Sequence, residues 1–197
     1  MKTLRCMVLL FTAIWSVGVA APVLGEDTYH GRVVDEATDQ PLVGAAVTVI
    51  WFRSPILGLE STRDFHSAQE TATDSEGKFS LSVSPGIDWN PFTYIRKEPQ
   101  IVVYQPGYEP TWAGWMVRNN YNSGVELAEA LKKGTTIRLQ QVKTEEQLRR
   151  FADLGAVAHT VVPHHAIPIL VRVVNLQRKM AGITSLYAEP VRGRKIK

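Results

Sequence analysis

The amino-acid sequence predicts a mainly β protein that ends in a helical extension. Short runs of alternating apolar and polar residues recur between residues 26 and 143. Turn residues, chiefly Gly, Pro and Asp, separate these runs, which is typical of antiparallel strands. After residue 144 the apolar positions recur at helical spacing instead. We therefore expect a β domain over 26–143 and a helical extension over 144–191.

Composition narrows the class of protein. The chain has 197 residues, of which 45% are hydrophobic and 21% are charged. These ordinary values exclude a disordered, collagen-like or polytopic membrane protein and fit one domain with an appendage. A net charge of +3 is too small to indicate nucleic-acid binding. The single cysteine excludes an internal disulfide framework and a cysteine-rich zinc module.

Residues 1–25 have the order of a secretory signal peptide: a basic start with Lys2 and Arg5, an apolar run over Met7–Ala21, then small residues. Cleavage is predicted after Gly25. An uncleaved N-terminal anchor is the alternative, although the run is short for the about 20 residues of a membrane span. Cleavage would leave a chain without cysteine and without a transmembrane span. The sequence therefore predicts an exported protein, periplasmic or otherwise associated with the envelope.

The first two predicted strands differ in their surroundings. Tyr29–Asp35 is a short β-prone run that ends in a polar turn closed by Pro41. Leu42–Phe52 has apolar residues on both faces, so we expect a central strand that is covered on both sides. Gly44 within it suggests a bulge or a close backbone approach. Arg53–Gln69 breaks the pattern and is interpreted as a loop.

A hairpin is predicted next. Glu70–Thr73 and the alternating run Lys78–Val83 are joined by Asp74-Ser75-Glu76-Gly77, in which Asp caps the turn and Gly takes a positive φ. Ile87–Pro99 is rich in aromatic residues and proline and is interpreted as a structured loop. Further strands are expected over Ile101–Tyr104, Trp112–Val117 and Thr135–Val142.

Two short helices are predicted from their caps. Ser123 caps a helix over Val125–Lys132. Thr144 opens a capping box for a helix that runs to about Leu154.

A longer amphipathic helix spans His164 or Ala166 to Met180, with Pro168 in its first turn, where proline is tolerated. We expect this helix either to pack on the β domain or to dock a partner. The basic tail over 192–197 is expected to be disordered, and contact with anionic lipid is its alternative role.

Three pieces of the chain carry a family resemblance. His30–Asp35 is HGRVVD, Gln40–Val47 is QPLVGAAV and Thr73–Phe79 is TDSEGKF. In this order they resemble the carboxypeptidase regulatory-like domain, and Val102–Tyr108 is similar to its later segment. The resemblance covers about residues 28–143 and implies a seven-stranded Greek-key sandwich of the transthyretin-like type, without catalytic residues of its own. The Arg53–Gln69 insertion and the helical extension depart from the family pattern and leave the partner surface open.

Residue patterns for catalysis and metal binding are weak. His159, His164 and His165 lack a nearby carboxylate, and two adjacent histidines diverge on a helix, so a polar helix start is expected rather than a metal site. Asp74–Gly77 begins like a calcium loop, but a turn explains each of its residues. Serine-nucleophile, phosphate-loop and dinucleotide motifs are absent from the sequence. We expect no enzyme activity, no metal and no cofactor.

The loops between residues 89 and 121 are rich in aromatic residues. They carry Trp89, Phe92, Tyr94, Tyr108, Trp112, Trp115 and Tyr121. Exposed aromatic faces could stack on sugar rings or on a partner protein, whereas packed ones would form a second small core. The candidate ligand or partner surface is Trp89, Tyr94, Tyr108, Trp112 and Trp115.

Together these features predict an exported, non-catalytic interaction or structural module of the bacterial cell envelope, with an envelope protein as its partner. A carbohydrate-binding module that uses the loop aromatics is the alternative.

Overall fold

The computed structural model describes residues 26–57, 63–111, 116, 119–153 and 162–187. In this part of the chain two β-sheets are accompanied by three α-helices, which confirms the prediction of a mainly β protein with C-terminal helices. The predicted signal peptide and basic tail lie outside the described residues. None of the described helices has the length and apolar character needed to cross a membrane.

The first sheet has the strand order β4-β1-β7. Its central strand β1 (Asp27–Asp35) pairs antiparallel with β4 (Lys78–Val83) and parallel with β7 (Thr135–Leu139). The parallel pair differs from the antiparallel expectation. Helix α1 (Gly124–Lys132) lies between β6 and β7 in the chain and packs on β1. β1 and β7 can lie parallel because they are not joined by a tight turn: strands β2 to β6 and helix α1 lie between them in the chain.

The second sheet is built around β2 (Ala46–Pro55). This strand pairs with β3 (Asp64–Ala72) on one side. On its other side it pairs with β6 (Gln100–Tyr104) along its first half and with β5 (Thr93–Ile95) at its end. Every residue from 46 to 52 is buried, which confirms the prediction of a central strand covered on both faces.

Apolar side chains of both sheets meet in an inner core. The first sheet contributes Val33, Phe79 and Ile137, and helix α1 closes the core with Leu127 and Leu131. The second sheet contributes alternate residues of β2 and β6, because successive side chains of a strand point to opposite faces. These residues are Val47, Val49, Trp51, Ile101 and Val103.

The opposite face of the second sheet carries a separate outer core. Helix α3 (Pro168–Met180) and the segment 162–167 pack against it. The α-helix begins at Pro168, later than the predicted His164 or Ala166, and a 3-10 turn over His164–Ala166 precedes it. Pro168 lies in its first turn, as predicted. The sheet side of the outer core consists of Ala46, Ile50, Phe52, Val102 and Tyr104.

The strands on either side of Asp74–Gly77 do not form the predicted hairpin. β3 pairs with β2 and β4 pairs with β1, so the turn carries the chain from one sheet to the other. The turn chemistry itself is as predicted. Asp74 Oδ1 accepts the backbone N–H groups of Glu76 and Lys78, and Gly77 has a φ of +72°. Turn residues specify a local reversal, but they do not specify the neighbouring strand.

Two other expectations are corrected. Much of the loop predicted over Arg53–Gln69 is strand, because β2 continues to Pro55 and β3 begins at Asp64. Gly44 precedes β2 in a turn with a φ of +74°, and nothing lies within 4 Å of where a Cβ would be, so it serves the turn rather than a close approach. The predicted strand Trp112–Val117 lies outside the described residues except for Met116.

Both predicted caps of the shorter helices are confirmed. The Ser123 side chain accepts the N–H of Glu126 at the start of α1. The Thr144 side chain accepts the N–H of Gln147 at the start of α2, which spans Glu145–Arg150 and is shorter than predicted.

Candidate functional site

Among the described residues, the histidines and the acidic turn do not assemble a metal site. The part of the chain that the structure describes contains no group of three His, Cys, Asp or Glu side chains able to hold a metal ion. The His164 ring packs edge-on against Tyr187 with centroids 5.3 Å apart, and His165 is exposed. His159 lies outside the described residues. The Asp74 carboxylate is engaged by its own turn.

Exposed large apolar residues occur instead in two segments near the end of the second sheet: directly after β2, and in and before β5. Three of them are aromatic: the exposed fraction is 85% for Trp89, 75% for Phe92 and 44% for Tyr94. Isolated apolar residues are common on protein surfaces, but a group of them marks an interaction surface. We call this group the aromatic ridge, and its members are Ile56, Leu57, Ile87, Trp89, Phe92 and Tyr94.

The loop that carries Trp89 and Phe92 is held by its own polar side chains. Asp88 Oδ1 accepts the N–H of Asn90 at 3.0 Å, and Asp88 Oδ2 accepts the hydroxyl of Thr93. Asn90 Oδ1 accepts the N–H of Phe92 at 3.0 Å. Side-chain oxygens that bond the backbone two residues ahead form Asx turns, which fix the local chain path. The hydrogen bonds from Thr93 and then Asn90 hold the pKa of Asp88 below its usual value, so the carboxylate stays ionised at neutral pH.

Strand β5 fixes this loop to the central strand of the sheet. Tyr94 lies opposite Ser54 in the register, and the N–H of Ile56 donates to the carbonyl of Phe92 at 2.9 Å. Successive residues of β5 face opposite sides. Ile95 packs against the inner core, while Tyr94 remains exposed. Backbone pairing therefore holds the part of the ridge that contains Ile56, Phe92 and Tyr94, while Trp89 lies on the loop fixed by Asp88 and Asn90.

Two of the predicted surface residues, Trp89 and Tyr94, lie in the ridge, but Tyr108 does not. Tyr108 is half-buried, packs against the inner core and hydrogen-bonds to Asp35. Burial and then this hydrogen bond raise the pKa of Tyr108, so its hydroxyl is a neutral donor. Tyr108 follows β6 at the Ala46 end of β2, and the ridge is at the other end. At about 3.3 Å per residue the two ends are about 30 Å apart.

The remaining aromatic predictions have mixed outcomes. Trp112 and Trp115 lie outside the described residues. Tyr121 packs against the inner core that both sheets share, not in a separate small core. The sequence prediction missed Ile56 and Leu57 because both follow Pro55 in the segment interpreted as a loop. An adjacent Ile-Leu pair beside a proline is the one signal that could have indicated exposed apolar residues there.

Helix α3 offers little free apolar surface, because the second sheet already covers it. The fully buried Gln177 accepts the N–H of Gly107 at 2.6 Å and donates to the carbonyl of Leu148 at 2.9 Å. Buried amides that bond on both sides fix the relative positions of the elements they join. Leu176 of this helix is exposed.

Two further contacts tie the C-terminal segment down. At the start of α3, Glu70 of β3 accepts the backbone N–H groups of Ile169 and Leu170, the latter at 3.1 Å. Arg178 donates to the carbonyls of Ala152 and Ser185. Of the two roles expected for the helix, the structure shows packing on the β domain.

Comparison with known proteins adds little. No family model matches the chain, and no curated protein matches it. Among solved structures, the chain is similar over 43% of its length to the crystal structure of a 9R-lipoxygenase from Cyanothece PCC8801, at 18% identity and a TM-score of 0.26. The match spans 11% of that chain. A likeness of this size carries no argument about fold or activity.

Proposed function

We propose that the protein is an exported, non-catalytic interaction module of the bacterial cell envelope and that the aromatic ridge is its partner surface. The observation that carries the proposal is the exposure of Trp89 and Phe92 on a loop whose backbone is held by Asp88 and Asn90. The accompanying fold proposal is a seven-stranded Greek-key sandwich of the carboxypeptidase regulatory-like type. The two sheets support this fold proposal. The three family-like motifs also support it, because they lie in β1, just before β2 and in the turn that joins the two sheets.

Rigidity favours binding at the ridge. A binding surface that is already ordered loses less conformational entropy on association than a mobile loop does. Interface energy is concentrated in a few aromatic anchors surrounded by apolar contacts. Trp89 and Phe92 have this character, and Ile56, Leu57 and Ile87 supply aliphatic surroundings.

The chemistry of the ridge favours a protein partner over a sugar. A sugar platform needs polar groups beside the aromatic face to bond hydroxyls. Here both carboxylate oxygens of Asp88 and the amide oxygen of Asn90 are already engaged within the loop. The partner surface is therefore expected to be apolar. The high exposure of Trp89 keeps carbohydrate binding as the second candidate.

The test uses a photocrosslinking amino acid at position 92 of the full chain, expressed in its native cells. The matched control places the same group at Val43, an exposed aliphatic residue at the other end of β2. We expect an adduct with one envelope protein from position 92 and none from position 43. The captured envelope protein, once purified, should bind the Trp89→Ser, Phe92→Ser double variant at least about tenfold more weakly than it binds the wild-type chain.

Two outcomes contradict the protein-partner proposal. Equal adducts from positions 92 and 43 would show nonspecific proximity. Unchanged binding by the double variant, with an unchanged circular dichroism spectrum, would show that the partner binds elsewhere. If instead the double variant loses saturable binding to isolated cell-wall glycan and no protein adduct forms, carbohydrate binding replaces the proposal.

A further inference from the structure

A cavity of about 260 Å³ lies beside helix α1, at the end of the molecule where β1 begins and β5 ends. It is distinct from the ridge, because Ile95 of β5 lines it while the neighbouring Tyr94 belongs to the ridge. Its wall comes from both sheets and the helix and combines apolar with charged residues. The apolar and aromatic lining residues are Tyr29, Trp51, Val83, Ile95, Pro99 and Ala128.

Two polar groups of the wall lack partners. Tyr29 and Trp51 are only 4% and 5% exposed. Within the described part of the chain, neither the Tyr29 hydroxyl nor the Trp51 indole N–H has a hydrogen-bond partner. Neither polar atom is fully shielded from solvent, so each can donate to a ligand in the cavity that carries an acceptor.

The mouth of the cavity carries excess positive charge. Lys132 Nζ lies 3.0 Å from Asp27 and 2.8 Å from Glu129, so these three charges largely satisfy one another. Arg96 and Lys97 also line the cavity, and no carboxylate among the described residues pairs with either. The Arg96 guanidinium has one hydrogen bond, to the hydroxyl of Ser54 at 3.2 Å. Its remaining N–H groups are available to an anion.

We propose that this cavity binds a small carboxylate with an apolar, aromatic-sized body. The body would lie against Trp51 and Ala128, and the carboxylate would face Arg96 and Lys97. The Tyr29 hydroxyl and the Trp51 N–H would donate to the same ligand. The size is consistent, since an apolar cavity of about 150 Å³ holds benzene and this one is larger by the equivalent of a short side chain. This inference does not rest on the ridge.

The test follows the indole N–H signal of Trp51 by NMR in the ¹⁵N-labelled full chain, assigned with Trp51→Phe. The probe is 3-phenylpropionate, and its matched controls are the neutral 3-phenylpropanol and the cationic 3-phenylpropylamine. We expect a saturable shift with the carboxylate at a Kd of about 1 mM or below, and binding at least about tenfold weaker for both controls.

Variants separate the carboxylate contact from the cavity itself. Arg96→Gln and Lys97→Gln should each weaken binding about threefold to tenfold, whereas Arg149→Gln, on exposed α2 outside the cavity, should not change it. Ala128→Met should fill the cavity and abolish the shift. Equal binding of all three probes, no saturable shift with the carboxylate, or full binding by Ala128→Met in a folded protein would each overturn the proposal.

Discussion

Helix α3 lacks a capping side chain of its own, and Glu70 replaces it from another element. The residue before the helix is Ile167, which makes no side-chain cap hydrogen bond. The first N–H groups of any helix have no partner within the helix. Pro168 has no N–H, and the next two N–H groups, of Ile169 and Leu170, donate to the Glu70 carboxylate. We therefore expect Glu70→Ala to weaken the attachment of the whole helix to the sheet.

The size of the effect follows from these contacts. Losing a helix cap costs about 0.5–2 kcal/mol, and a negative charge at a helix N-terminus contributes about 0.3–1 kcal/mol. We expect Glu70→Ala to lower the free energy of unfolding by about 2 kcal/mol. Glu70→Gln should cost less than Glu70→Ala at neutral pH, about 1 kcal/mol or below, because its amide oxygen still accepts one N–H and the neutral amide avoids the desolvation penalty of the charge. Unfolding in urea, followed by tryptophan fluorescence, measures both.

The control is Glu146→Ala, which removes an exposed glutamate from α2 and should change stability by less than about 0.5 kcal/mol. Hydrogen exchange adds a local readout, since the amides of Ile169 and Leu170 should lose protection in Glu70→Ala before the strands do. If Glu70→Ala costs no more than Glu146→Ala and these amides keep their protection, the carboxylate does not hold the helix.

The pH dependence of the same comparison has a defined sign. Burial raises the pKa of Glu70 above its ordinary 4.5, against the opposing hydrogen bonds from Ile169 and Leu170. Between 4.5 and the raised value the folded state binds more protons than the unfolded chain, so Glu70 adds stability as the pH falls through this window. Glu70→Gln lacks this gain, and its cost should grow from neutral pH towards 4.5. A constant or shrinking cost over that range would show that the Glu70 pKa is not raised.

Two paired substitutions test other parts of the fold. Gly77→Ala and Gly44→Ala both place a Cβ at a φ above +70°, but only at Gly77 would it lie 2.5 Å from a backbone carbonyl oxygen. Thermal unfolding should show a cost of about 1 kcal/mol at Gly44 and about 3 kcal/mol or more at Gly77, and equal costs would contradict the clash. Tyr104→Phe removes a buried hydroxyl that donates to a backbone carbonyl at 2.6 Å and should cost about 1–2 kcal/mol, measured in urea. Tyr29→Phe removes a hydroxyl without a partner in the described residues and should cost less than about 0.5 kcal/mol. A similar loss of stability in Tyr104→Phe and Tyr29→Phe would show that the hydrogen bond of the Tyr104 hydroxyl does not stabilise the fold.

Features that depend on neighbouring residues were predictable from the sequence. Ser123 and Thr144 cap helices through backbone groups three residues away, and Pro168 begins a helix because its missing N–H is not needed there. The apolar pattern of Leu42–Phe52 identified a buried central strand. In each case the information lies within a few residues of the feature.

Features that depend on distant residues were not predictable in the same way. The Asp74–Gly77 turn has the expected chemistry, yet its strands pair in different sheets because those partners lie elsewhere in the chain. Tyr94 and Tyr108 belong to equally aromatic segments, but their surroundings differ. Tyr94 lies in a strand that pairs with β2 and is exposed, whereas Tyr108 is half-buried and hydrogen-bonds to Asp35. Glu70, which caps α3, lies 99 residues before Ile169, whose N–H group it accepts. No local pattern marks Glu70 for that role.

The distance between Glu70 and α3 also constrains the order in which the chain can fold. Until α3 docks, Ile50, Phe52 and Tyr104 lack the helix that covers them and face water as one apolar surface. Closing so long a loop is also slow, since rates fall as contacts become more remote along the chain. A β domain that forms before α3 docks is therefore prone to aggregation, and a chaperone that covers its exposed sheet face would raise the yield of native protein.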